Sequence, residues 1–355
     1  MGLEEDTHVD ANQRTERLIQ AATRAGGKTY EFDNDHDPNL PIGCFFQRSP
    51  EGLVLFVLFY TQACRWSRCK FCTLPSTSSL RHVGYKAIMA QIDHVFAQPD
   101  VAGKLGEIRK VILSNQGSML DELTFSSTAL MYLVARCNLL LPNLEVLTLE
   151  TRVDYVDDAE LEFLARAIAE GDTPTVLEIA VGFEAFNERV RNRDLLKGLA
   201  LAKFEQLVAR STAKGFRVKG YFLQKSIADM DDDEAVRDVQ AAIEYLADLQ
   251  RTVPDARLNL HLNPTYAARG TTLEQELKRG TWTPPRLVDT ARAVLHGKGR
   301  DLPIFVGLSD EGLAVEGGSF VRPGDEPLVD ALEAFNRTQD YGPLEEAFLK
   351  AISPD

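Results

Sequence analysis

The sequence predicts an α/β fold built on a parallel sheet, and three observations predict it. Apolar runs of strand length recur through the middle of the chain. Each is followed by a stretch with apolar residues at helical spacing. No Gly/Ser-rich linker interrupts the series. Strand–helix repeats of this kind imply parallel strands joined by crossover helices. Six or seven such units fit a full or partial (β/α) barrel of the TIM type, or a doubly wound sheet. Periodicity alone leaves both open.

The elements follow in order. Residues 1–50 form a polar leader with a short helix over Arg14–Arg24, then Gly26-Gly27 and an acidic, Pro-bearing stretch to Pro41. LVLFVLFY (53–60) is a continuous apolar run, as expected of a strand buried on both faces. Residues 84–97 carry Ile88, Ile92, Val95 and Phe96 at helical spacing, and 110–114 is the second strand. A helix is expected over 126–137, a strand over 144–150, a helix over 158–169 and a strand over 176–184. Helix 197–213, strand 216–224, helix 232–249 and strand 257–264 continue the alternation, followed by helix 286–296 and a strand over 302–308. The run Asp231–Glu234 suits a helix start, where carboxylates meet the positive end of the dipole. On this reading the leader is 1–50, the barrel 51–308, and residues 309–355 a C-terminal extension that caps it.

Composition narrows the class. Of 355 residues, 44% are hydrophobic and 26% charged, which excludes a disordered or low-complexity chain. Asp and Glu number 53 against 39 Lys and Arg, a net charge of −14, which argues against holding nucleic acid by bulk electrostatics. The amino terminus lacks the basic and apolar regions of a signal peptide, and Asp6 stands where a myristoylation signal needs Ser or Thr. Leu53–Tyr60 is too short to span a membrane, so a cytoplasmic protein is expected. In that compartment five cysteines are not a disulfide framework.

Three of the five, Cys64, Cys69 and Cys72, fall within nine residues directly after the first apolar strand, with the spacing C-x4-C-x2-C. In a barrel, the loop after a strand lies on the catalytic face. A structural zinc site needs four ligands; an iron–sulfur cluster held by three cysteines leaves one iron open. Arg65, Arg68, Lys70 and Arg81 make the surroundings basic, which favours thiolates. Plain thiols and a zinc site completed by His82 or Cys44 are the alternatives. Cys137, at the end of an apolar helix, reads as core, and so does the stripe Val236, Val239, Ile243, Leu246.

With Phe71 just before the last cysteine, this loop resembles that of the radical S-adenosylmethionine superfamily, where the usual spacing is C-x3-C-x2-C; here one residue more separates Cys64 and Cys69. Further motifs agree: Gly117-Ser118-Met119-Leu120-Asp121, Glu150-Thr151-Arg152, Gly182-Phe183-Glu184 with Lys197-Gly198 beyond, Lys219–Lys225, Asn263-Pro264-Thr265 and Arg269-Gly270-Thr271. The ordered series over about residues 45–310 resembles the branch of the Elongator catalytic subunit and, more closely, the archaeosine synthase radical subunit family.

The resemblance implies a partial (β/α)6 TIM-type barrel of the radical SAM type. It implies that Cys64, Cys69 and Cys72 ligate a [4Fe–4S] cluster whose open iron chelates S-adenosylmethionine. Reductive cleavage would then give a 5′-deoxyadenosyl radical that abstracts a substrate hydrogen. Phe71, the Gln116-Gly117-Ser118 turn, Glu150, Arg152 and Glu184 are the candidate cofactor contacts. Gln224 and Lys225, at the end of the fifth strand, are the candidate catalytic residues; Lys197, Lys219, Tyr221 and Asn263 are weaker candidates. An external flavodoxin- or ferredoxin-like electron donor is implied. The family acts on a modified base in tRNA, so the substrate is tRNA or a nucleoside with a partner subunit, or else a small molecule or peptide. A zinc-stabilised binding protein without catalysis is the reading from another class. No second cysteine cluster is present to suggest methylthiolation.

Overall fold

The computed structural model describes residues 3–353, with side chains from residue 11 onward. One eight-stranded sheet has its strands in sequence order, β1 to β8. The elements are α1 Leu3–Ala25, β1 Gly43–Ser49, β2 Gly52–Leu58, α2 Tyr85–Ala97, α3 Pro99–Ala102, β3 Ile108–Ser114, α4 Ser127–Leu140, β4 Val146–Thr151 and α5 Asp158–Ala169. They continue as β5 Val176–Glu184, α6 Leu201–Ala213, β6 Arg217–Gln224, α7 Asp232–Thr252, β7 Leu258–Pro264, α8 Thr272–Arg279, α9 Leu287–Leu295, β8 Ile304–Val306, α10 Glu326–Thr338 and α11 Tyr341–Ile352. The expected (β/α)6 series is β2 to β7 with its crossover helices, and β1 and β8 extend it at either end. This is the strand order of a partial (β/α) barrel, not of a doubly wound sheet, in which the chain reverses direction part-way.

The chain divides into two compact units, residues 1–47 with 51–178, and residues 48–50 with 179–355. In the first, β2, β3 and β4 pair in parallel, and the register Leu58↔Ser114 brings the ends of β2 and β3 level. The apolar runs form strands because both sheet faces are covered: Leu53, Val54, Leu55 and Val57 of β2 and Val111, Ile112 and Leu113 of β3 are buried. Each such side chain contributes about 1.5–3 kcal/mol when fully buried. The α2 stripe Ile88, Ile92, Val95, Phe96 is buried as its spacing predicts. Lys110 is buried among this sheet and pairs with Glu51 at 2.9 Å and Glu178 at 3.0 Å.

In the second unit, β6, β7 and β8 pair in parallel. Helix α7 starts at a capping box in which Asp231 and Glu234 satisfy each other's backbone amides, the role expected of that acidic run. Its stripe Val236, Val239, Ile243 and Leu246 is buried. Several boundaries differ from expectation. The leader helix is longer and is followed by strand β1. Helix α6 begins at Leu201, after a π-helical turn over Arg189–Asp194. The last strand keeps only Ile304–Val306. The C-terminal stretch forms two helices, α10 and α11. Among the described residues, no helix is long and apolar enough to cross a membrane.

Candidate active site

In the first unit the chain leaves β2 and runs directly into the cysteine loop. Phe59 N donates to Ser114 O at 2.8 Å, so the exit from β2 stays tied to the end of β3. Ala63 N donates to Ser79 O at 2.7 Å and Ser79 N to Thr61 O at 3.0 Å, closing the base of the loop. Cys69 is buried, while Cys64 and Cys72 are half-buried. Arg65 holds Asp121 through two hydrogen bonds, Nε at 2.6 Å and Nη2 at 2.5 Å. Its guanidinium also lies over the Tyr155 ring at 5.1 Å. Trp66 sits under two guanidinium groups, Arg152 at 4.2 Å and Arg68 at 5.4 Å.

The β3–α4 turn packs against this loop. A Cβ on Gly117 would lie 3.3 Å from both Cα and Cβ of Cys64, so only glycine allows the approach without a shift. Gln116 has a left-handed backbone, φ 57°, and its side-chain oxygen accepts from Thr77. Ser118 is buried and its hydroxyl accepts from Arg152 N at 3.1 Å, while Met119 N donates to Glu150 O at 2.8 Å. The turn is thereby bonded to the end of β4. Arg152 pairs with Asp154 at 2.7 Å. Phe71 and Glu150 are both partly exposed. The structure therefore gathers Gln116, Gly117, Ser118 and Arg152 around the cysteine loop.

The three thiols of the loop act on one another and on their neighbours. Burial pushes the Cys72 thiol up to about 12; Lys28 opposes the rise, and Cys69 and Cys64 add to it. Burial also raises the Tyr30 phenol, with Cys72, Cys64 and Cys69 adding to the shift. Lys28 is itself buried, and its ammonium has no hydrogen-bond partner. Neither Lys28 nor Tyr30 carries a sequence signal; both follow a helix and a glycine pair in the leader. Three thiols and a buried cation make a donor set that fits a negatively charged, thiolate-held group. They are not closed around a metal: among the described residues, no three His, Cys, Asp or Glu side chains are grouped to hold one. His82 is exposed, Cys44 is engaged with Gln98 at 3.2 Å, and Cys137 is core.

The second unit carries the remaining candidates. Glu184 ends β5 with φ 78° and pairs with Lys197 at 2.7 Å, both nearly buried. Arg191 is fully buried and donates to the carbonyls of Ala185, Phe186 and Leu199, which pins the chain between β5 and α6. Gln224 is fully buried; its oxygen accepts from Thr290 at 2.7 Å, and its amide nitrogen has no hydrogen-bond partner. Lys225, φ 58°, pairs with Asp232 at 2.6 Å and donates to Thr283 at 3.3 Å. It borders a cavity of about 460 Å³ that Asp229, Glu234 and Trp282 also line. Lys219 lies within 5.9 Å of the Tyr221 ring, and Asn263 pairs in register with Leu223.

No family model matches the chain. It is 23% identical over 306 residues to archaeosine synthase subunit beta of Methanosarcina acetivorans, covering 82% of this chain and 81% of that protein. It is 24% identical over 307 residues to archaeosine synthase subunit beta of Thermococcus kodakarensis, covering 83% and 88%. An uncharacterized protein of Methanocaldococcus jannaschii is 19% identical over 87% of this chain and 84% of its own. Among solved structures, Elp3 of Methanocaldococcus infernus, lacking its N-terminus, aligns at TM-score 0.47 with 14% identity. The radical S-adenosylmethionine methyltransferase TsrM of Kitasatospora setae aligns at TM-score 0.38 with 15% identity. The alignments cover 70% and 61% of this chain, and only 58% and 36% of the Elp3 and TsrM chains. The sequence resemblance to the archaeosine synthase-related branch is borne out by the named relatives.

Proposed function

We propose that this chain is the cluster-bearing subunit of a radical S-adenosylmethionine enzyme that acts on a modified nucleoside of tRNA. The observation that carries the reading is the clamp on the cysteine loop: Arg65 to Asp121, and Cys64 against Gly117, tie it to the β3–α4 turn. Cys64, Cys69 and Cys72 would hold a [4Fe–4S] cluster. When bound, such a cluster supplies one electron to S-adenosylmethionine, and cleavage gives methionine and the 5′-deoxyadenosyl radical.

The chain's own residues have narrower tasks. The Gln116–Ser118 turn presents backbone to whatever lies over the loop, because Gly117 keeps Cβ out of the way. Arg152 supplies a guanidinium suited to a carboxylate, and Glu150 a carboxylate suited to ribose hydroxyls. Trp66 and Phe71 give the loop apolar surface that excludes water. Glu184, Gln224 and Lys225 are proposed as the second unit's cofactor and substrate contacts. A flavodoxin- or ferredoxin-like protein is the proposed electron donor.

The relatives named as subunit beta of a synthase support a partner subunit, and so does charge. A net charge of −14 argues against holding tRNA by bulk electrostatics, and a partner would supply the basic surface.

The test is anaerobic reconstitution with iron and sulfide, then dithionite and S-adenosylmethionine, with 5′-deoxyadenosine measured with and without tRNA. Wild type is expected to form it and Cys69→Ala is not. Absence of 5′-deoxyadenosine from reconstituted wild type, with zinc bound instead, overturns the reading. Formation unaffected by tRNA, alone or with a partner subunit, moves the substrate to small molecules or peptides.

A further inference from the structure

Lys28 lies in the stretch between α1 and β1, in the same unit as the cysteines, and no task described so far uses it. A buried charge is costly unless an opposite charge meets it. Lys28 is 4% exposed, and its Nζ has no hydrogen-bond partner. Its ammonium lies 5.2 Å from the centre of the Tyr30 ring, whose π face supplies only part of what water would.

The stretch is pressed against the cysteine loop. A Cβ on Gly26 would stand 2.7 Å from the carbonyl oxygen of Arg68 and 3.3 Å from Cε of Lys28. Gly26 therefore lets the backbone come close enough to seat the lysine beside the loop. Beside that loop the Lys28 ammonium meets no hydrogen-bond acceptor. A thiolate-held cluster, which carries net negative charge, would give it a partner. Arg68 is a weaker candidate for the same task, because its side chain is exposed and screened by solvent.

We propose that Lys28 is the counter-charge of the cysteine-held cluster, a positioning residue outside the ligand set that stabilises the reduced form and raises its reduction potential. The inference rests on the cluster reading above. Reduction adds one electron to the cluster, so a nearby buried cation favours the product over the reactant.

The test is a dithionite titration of the reconstituted full chain, with the reduced cluster followed by electron paramagnetic resonance. The readout is the ratio of reduced to oxidised cluster at the solution potential that half-reduces wild type. Lys28→Met is expected to lower that ratio about tenfold, equivalent to a fall of about 59 mV for a one-electron couple. Lys28→Arg is expected to stay within about twofold of wild type, because it keeps the charge. A Lys28→Met ratio equal to that of wild type overturns the proposal and leaves the cluster reading intact. If Lys28→Met takes up no cluster, Lys28→Gln and Lys28→Arg decide. Loading by Arg alone supports the counter-charge, whereas loading by Gln at the wild-type ratio, or failure of Arg to load, overturns it. A wild type that assembles no cluster removes the cluster reading itself, and this inference with it.

Discussion

Cutting the Arg65–Asp121 pair tests whether the cysteine loop is clamped. The two side chains are unequal: Asp121 is 2% exposed and Arg65 30%. Replacing Arg65 with Met strands a buried carboxylate. Loss of one partner from a fully buried pair costs about 3–5 kcal/mol. Leu123 N still donates to Asp121 at 3.3 Å, so the expected cost is near the lower end, about 3 kcal/mol. Asp121→Asn keeps the shape and leaves a guanidinium that can reach water over Tyr155, at about 1 kcal/mol. The double variant has no stranded charge and is expected to lose about 2 kcal/mol, a coupling of about 2 kcal/mol between the sites. Urea midpoints of the four proteins, read by circular dichroism, measure this. Equal single-variant costs that add to within about 0.5 kcal/mol would refute the clamp, because an exposed pair behaves that way.

Two further predictions concern groups whose burial sets the outcome. Lys197→Met is expected to cost about 3 kcal/mol in urea unfolding by stranding the Glu184 carboxylate, and a loss below about 1 kcal/mol would mean that water screens the pair. Burial alone pushes the Cys137 thiol up to about 12 from an ordinary value of 9.0. The unfolded chain releases that proton first, so stability should fall by about 1.4 kcal/mol per pH unit between those two values. The wild-type urea midpoint, followed with pH against Cys137→Ala, isolates the slope, and parallel curves would rule it out.

Much of the fold was legible because its strands are covered on both faces. A run such as Leu53–Val57 has no polar face to hide, so it announces a strand without alternation. Strand β1 did not: its burial alternates weakly, and Phe45, stacked on Phe56 at 4.9 Å, is 45% exposed. Helix α8 has one fully buried residue, Leu273, among charged neighbours that pair along its surface, so its apolar stripe is too narrow to see. The expected start of α6 at Lys197 failed because that side chain is bonded to Glu184 and Gly198 turns left-handed, φ 70°. The cysteine loop was legible from spacing alone. Its anchors were only half so: Asp121 stood in a recognised motif and Arg65 in a basic loop, but 56 residues of sequence separate them. Lys28 was invisible, because solitary burial of a charge has no local pattern.

The backbone supplies a separate argument for the strand ends. Gln116, Glu184 and Lys225 lie at, or within two residues past, the ends of β3, β5 and β6, and all three have φ between 57° and 78°. A side chain in that region costs about 1–2 kcal/mol, which glycine would avoid. The chain fills the same region elsewhere both with glycine, at Gly215, Gly280 and Gly299, where a Cβ would meet nothing, and with Ser67, Leu196, Asp255, Glu311 and Gln339. At the strand ends it instead carries an amide, a carboxylate and an ammonium. Each is then held: Gln116 by Thr77, Glu184 by Lys197, and Lys225 by Asp232. Turn geometry does not require these side chains, since glycine would serve it better. What glycine could not supply is the polar group, and at each position that group already closes a hydrogen bond or ion pair within its own unit, so the strain is offset inside the fold.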